Sequence, residues 1–68
     1  MDGVVDLAFR ESGGLEVTLL WSRSDESFLI VVTDAWTGET FAVSASSADA
    51  MDVFHHPFAY RSRAMTLA

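Results

Sequence analysis

The chain has 68 residues, enough for one domain and too few for a second core. Half of them are hydrophobic, which excludes a disordered chain, and the absence of cysteine excludes disulfides and thiolate metal sites. A net charge of −6 with no lysine excludes the basic face that non-specific nucleic-acid binding needs, and also Schiff-base and P-loop lysine chemistry.

The first element, "VVDLAF", places Val5, Leu7 and Phe9 on one side of a strand, with "ESGG" as the turn that follows. One or two helical turns are the alternative for this stretch. Residues 1–14 are therefore read as an extra strand and turn added to a three-stranded core.

That core begins at "LEVTLLWS", residues 15–22. Leu15, Val17, Leu19 and Trp21 alternate with Glu16, Thr18, Leu20 and Ser22, the period-two pattern of a half-buried strand. The polar loop "RSDE" leads to "SFLIVVTD", residues 27–34, and "AWTG" leads to "ETFAVSA", residues 39–45. Burial selects the register. A four-residue loop over Ala35–Gly38 sets Asp34 opposite Glu39, and Val32, Ile30 and Phe28 opposite Phe41, Val43 and Ala45. A three-residue loop strands the same apolar set opposite Thr40, Ala42 and Ser44. In the favoured register Gly38 takes the loop position that calls for a positive φ, and Asp34 caps the turn. The same logic pairs Trp21 with Phe28, Leu19 with Ile30 and Val17 with Val32, and makes Trp21 a core residue.

"SSADAMDVFHH" reads as a helix with Ser46 or Ser47 as N-cap. Ala50, Met51, Val53 and Phe54 share its apolar arc. Pro57 stops it and pushes His56 out of helical geometry. Phe58, Ala59 and Tyr60 are expected to run extended with their rings latched on the core, and residues 61–68 to form a flexible tail. The fold class is thus α+β: a three- or four-stranded antiparallel meander followed by one C-terminal helix packed on one face.

The stretch "FHHPFAYR" carries the densest chemistry. His56 lies four residues after Asp52, so an Asp–His contact is expected on the helix surface. Asp52 and His56 would give a metal two ligands, where zinc wants three or four, so neither metal nor cofactor is expected. No nucleophile elbow, dinucleotide fingerprint, zincin motif or phosphate loop is present, and no enzyme activity is expected. The candidate partner-binding residues are Trp36 at a hairpin tip, His55, His56, Tyr60, Arg61 and Arg63. On the second sheet face Leu20, Leu29, Val31 and Ala42 form an apolar patch that one helix on the other side leaves uncovered.

"LEVTLLWS", "DAWTGETFAV" and "AMDVFHHPFAY" together resemble a set of short uncharacterised actinobacterial proteins. Those proteins carry a strand ending in Leu-Trp, a Thr-Gly-Glu hairpin and a closing His-Pro-Phe-Ala-Tyr motif. The similarity covers residues 15 to 60, and His56-Pro57-Phe58-Ala59-Tyr60 is its most specific part. It implies a shape and a host class, with no activity attached.

Charge and size shape the functional expectation. Residues 1–52 hold all ten acids and two of the four arginines, a net −8. Residues 53–68 hold two arginines, both histidines and no acid. A domain this small buries only about 60% of its unfolded surface, and without disulfides or a metal it is expected to gain stability by oligomerising. The expectation is a non-enzymatic interaction or regulatory module, homodimeric and cytoplasmic, with no membrane span and no nucleic-acid partner. An accessory subunit docking by strand addition, or through its aromatic and basic tail, is the alternative.

Overall fold

The computed structural model describes residues 3–66. Four long strands, β1 (Val4–Ser12), β2 (Leu15–Ser22), β3 (Ser27–Asp34) and β4 (Glu39–Ala45), form an antiparallel meander. A short helix α1 (Ala50–His55), a 3-10 helix (Pro57–Arg63) and a two-residue strand β5 (Met65–Thr66) follow, with β5 pairing against β4. Among the described residues no helix is long and apolar enough to cross a membrane.

The registers expected for the central hairpins are the ones observed. Trp21, Leu19 and Val17 face Phe28, Ile30 and Val32, and these face Ala45, Val43 and Phe41. At the β3–β4 turn Gly38 has φ +75°, its N–H donates to the Asp34 carbonyl at 2.8 Å, and the Trp36 N–H donates to Asp34 Oδ1 at 2.9 Å. Seven side chains from β2, β3 and β4 meet Ala50, Val53 and Phe54 of α1 to make the core. Trp21 departs from expectation. It is half-buried at the end of the sheet, stacked at a tilt on Phe28 with centroids 4.9 Å apart, because α1 is too short to cover it.

β1 is a strand, yet its side chains do not alternate as the sequence suggests. Asp6 pairs with Leu20 and Ala8 with Leu19, so one extra residue, Leu7, forms a bulge. Beyond it the alternation is inverted. Val5 lies on the covered face opposite Trp21, whereas Phe9 lies on the other face opposite Thr18. Leu7 and Phe9 are 51% and 60% exposed. The shift places Ala8 and Arg10 on the covered face, where Ala8 packs against the core.

The C-terminal third also departs from expectation. Ser46 closes a turn through its carbonyl, which accepts from the Asp49 and Ala50 N–H groups. Asp49 rather than Ser46 or Ser47 is therefore the N-cap, with no side-chain cap bond. Ala50, Val53 and Phe54 are buried, while Met51 lies at the rim of the arc and is 52% exposed. Pro57 ends α1 as expected. His56 leaves helical geometry at φ −133°, ψ 58°, and Pro57 then opens the 3-10 helix where an extended run was expected. Proline suits that place, because its φ is preset and its missing N–H would have no partner in a first turn. The expected tail from residue 61 has regular structure as far as Thr66, held by β4; residues 67 and 68 lie outside the described residues.

Candidate interaction surfaces

The two faces of the sheet are built differently. All helical structure lies on one face, against β2, β3 and β4. The open face consists of four cross-strand rows. Val4–Ser22–Ser27 is followed by Asp6–Leu20–Leu29–Ser44, then Phe9–Thr18–Val31–Ala42–Met65, then Glu11–Glu16–Thr33–Thr40. The two middle rows make an apolar band between polar ends. Val4, Leu20, Leu29 and Met65 line a depression of about 300 Å³ at its edge.

Three of the four residues expected on this face, Leu20, Leu29 and Val31, are half-buried there. Ala42 is on the face but only 2% exposed, since Met65 of β5 pairs beside it and takes its place at the surface. Val4, Phe9 and Met65 complete the face, at 44%, 60% and 61% exposure, and sequence reasoning missed them. A bulge conceals Phe9, and β5 is too short to leave a periodic signal.

The residues singled out near the C-terminus are engaged mostly with one another and with the sheet. Arg61 pairs with Glu39 and lies over the Phe41 ring at 5.4 Å. Arg63 lies over Tyr60 at 4.9 Å and reaches the Ser44 carbonyl at 3.5 Å. Phe58 meets Phe41 edge-on at 5.6 Å yet stays 48% exposed, so the aromatic latch is partial; Tyr60 is its better-buried half. The expected Asp52–His56 contact is replaced. The Tyr60 hydroxyl donates to Asp52 Oδ2, while His56 contributes its backbone N–H to the Asp52 carbonyl at 2.8 Å. The 3-10 turn brings Tyr60 back over the helix, where it outcompetes a histidine turned outward by Pro57. That hydrogen bond to a carboxylate raises the Tyr60 pKa above its ordinary value. His55 Nδ1 lies 2.9 Å from the Met51 carbonyl and its ring meets Phe54 at 5.4 Å. Among the described residues no three His, Asp or Glu side chains gather as a metal-binding group.

Trp36 stands apart from this cluster. It is 83% exposed, but its indole N–H donates to the Gly13 carbonyl at 2.7 Å and the ring lies on Gly14. A Cβ on Gly14 would sit 2.5 Å from Trp36 Nε1, and Gly14 has φ +88°, so only glycine fits. Trp36 thus ties the β3–β4 turn to the β1–β2 turn while displaying most of its surface.

One residue of structural weight escaped the sequence reading. Arg10 donates through Nε and Nη2 to the Phe54 carbonyl at 3.1 and 2.9 Å and through Nη2 to the His55 carbonyl at 3.3 Å. It also lies 5.6 Å from the Phe54 ring centre. The last carbonyls of a helix lack intrahelical partners, and a guanidinium satisfies them with favourable charge. Compared with known proteins, the chain matches no family model, no curated protein and no solved structure.

Proposed function

We propose that the chain is a small non-enzymatic interaction module that works as a homodimer joined through the open face of its sheet. The observation that carries this reading is the band of Leu20, Leu29, Val31, Phe9 and Met65 left uncovered opposite α1. Contiguous apolar surface of this kind marks a binding site more often than a solvated face. A second copy suits it in size. The molecule measures 33 × 24 × 19 Å, and a face with the two longer dimensions is of the order of the 800 Å² per partner that a standard interface buries. It suits it in charge as well: the acids of this face, Asp6, Glu11 and Glu16, lie at the β1 edge and one end, leaving the part of the band on β2, β3 and β4 neutral. Among the described residues this face has no basic side chain, which weighs against nucleic acid as its partner. A cysteine-free chain suits the reducing cytoplasm, which the proposal takes as its location.

The alternative, an accessory subunit adding a strand to a partner, has one feature in its favour: β1 is an edge strand of the sheet. The Leu7 bulge weighs against it, since bulges are a common device for blocking edge pairing.

Sedimentation of the wild type and of Leu29→Lys tests the proposal, with circular dichroism as the check on fold. A dimer that becomes a folded monomer supports it. Phe9→Lys, at a rim position already exposed in the single chain, gives the same answer should Leu29→Lys not fold. A wild type that stays monomeric well above micromolar concentration, or a dimer indifferent to both charges, overturns it.

A further inference from the structure

We infer that Trp36 and the carboxylates around it form a docking point for a basic segment of another protein, with an arginine laid on the indole ring. The inference does not rest on the homodimer, since Trp36 lies beyond the apolar band, in the β3–β4 turn at one end of the sheet.

The tryptophan is exposed by construction. Its one polar side-chain atom, Nε1, is spent on the Gly13 carbonyl, and Gly14 has no side chain to cover the ring, which leaves 83% of the residue open. Tryptophan is highly buried on average. A surface ring that swung freely would lose that freedom on binding. This one is already fixed, by the Gly13 bond and by its backbone N–H on Asp34 Oδ1. It turns outward an apolar π surface with no hydrogen-bonding atom left to satisfy.

The charge around the ring selects the partner. Glu11 Oε2 accepts from the N–H of Gly14, the residue on which the ring lies, and Asp34 sits in the turn that carries it. Glu16 faces Glu11 across the strands. Among the described residues none of these three carboxylates forms an ion pair. The nearest arginines are committed elsewhere, Arg61 to Glu39 and Arg10 to the Phe54 and His55 carbonyls on the covered face. His55 and His56 end α1 on that same face. Arg23 and Arg63 lie toward the opposite end, in the β2–β3 loop and beside Ser44.

A bare π face beside three carboxylates without a base is matched by one kind of group, a cation. Tryptophan is the best of the side-chain rings for this contact, and arginine is the cation that most often makes it. A guanidinium can stack on the ring and still present N–H groups to a carboxylate. The chain uses the same contact within itself: Arg10 lies over Phe54, Arg61 over Phe41 and Arg63 over Tyr60. No cation of the described residues lies over Trp36. The net −8 of residues 1–52 would also steer a basic partner toward the molecule.

The probe is a blocked peptide of alternating glycine and arginine, with the same peptide carrying citrulline as its neutral counterpart. Nuclear magnetic resonance follows the titration of the full chain through its two indole N–H signals, Trp21 and Trp36 being the two tryptophans. The arginine peptide should bind saturably below millimolar concentration and move the Trp36 and Gly14 signals while Trp21 stays in place. Trp36→Ala should weaken binding roughly fivefold or more, and so should Glu11→Gln combined with Glu16→Gln. The glutamine pair keeps the ring and an acceptor for the Gly14 N–H, so it decides alone should Trp36→Ala not fold. Citrulline in place of arginine should weaken binding at least as much. Absence of saturable binding, unchanged affinity in a folded Trp36→Ala or in the glutamine pair, or equal binding of the citrulline peptide overturns the inference. So does a wild-type dimer that Trp36→Ala dissolves in sedimentation, because a second copy would then hold the site.

Discussion

The two faces of this sheet use the same residue types to different ends. On the covered face Val17, Ile30, Val32 and Val43 are fully buried, and the layer of α1 and the 3-10 helix gives each a partner. On the open face Leu20, Leu29 and Val31, their neighbours in the same strands, remain half-exposed, with Phe9 and Met65 more so. A helix of six residues packs over β2, β3 and β4 and reaches no further. The lesson is one of supply. The chain carries enough apolar side chains for two sheet faces but enough helix to cover only one, and a second copy is the cover proposed for the other.

The largest expected effect lies in the covered layer. Phe54 is 6% exposed, and Phe54→Ala should cost about 3–5 kcal/mol. That is a large share of the 5–15 kcal/mol typical of a domain, so the chemical-denaturation midpoint should fall in proportion to the lost stability. A loss below about 1 kcal/mol would mean that the helix does not distinguish the two faces at all.

Arg10 comes second, because it stitches β1 to the covered layer. Hydrogen bonds from a charged donor are worth about 1.5–3 kcal/mol, and Arg10→Ala should cost that much in denaturant melts. The loss should appear as faster hydrogen exchange in β1 and the last turn of α1. Unchanged exchange in β1 would show that its docking owes nothing to Arg10.

The smallest effect sharpens the comparison within the covered layer. Tyr60 is the single tyrosine, so ultraviolet titration reads it without interference. Its midpoint should lie above the ordinary value of about 10, because its hydroxyl donates to Asp52, and Asp52→Asn should bring it back. A tyrosine whose folded pKa is raised holds its proton more tightly in the folded state. Its contribution to stability is complete below the ordinary value and is lost as pH rises through the higher folded one. Tyr60→Phe should remove that alkaline decline. A midpoint unaffected by Asp52→Asn would show that the 3-10 helix is not pinned to α1 by this contact.

The candidate surface was legible in part. Leu20, Leu29 and Val31 could be placed on the second face because they occupy the alternate positions of strands whose registers burial had already selected. Phe9 could not, because a bulge is a choice made by the partner strand. The pairing of Asp52 with Tyr60 rather than His56 was hidden for a related reason. Helical spacing brings His56 within reach, but Pro57 turns it away, and the 3-10 turn supplies a competitor that no spacing rule anticipates.

By itself the sequence determined the β2–β3–β4 meander, its registers, the Gly38 turn and the stop at Pro57. Each rests on neighbours a few residues apart, or on an alternation that a slip of one residue would invert. Tertiary structure alone decided the Leu7 bulge, the capping of α1 by Arg10, the seating of Trp36 on Gly14 and the pairing of β5 with β4. Arg10 reaches a carbonyl 44 residues away and Trp36 one 23 residues away. Such contacts depend on where the completed sheet brings donors and acceptors distant in sequence within reach of one another, which no local pattern records.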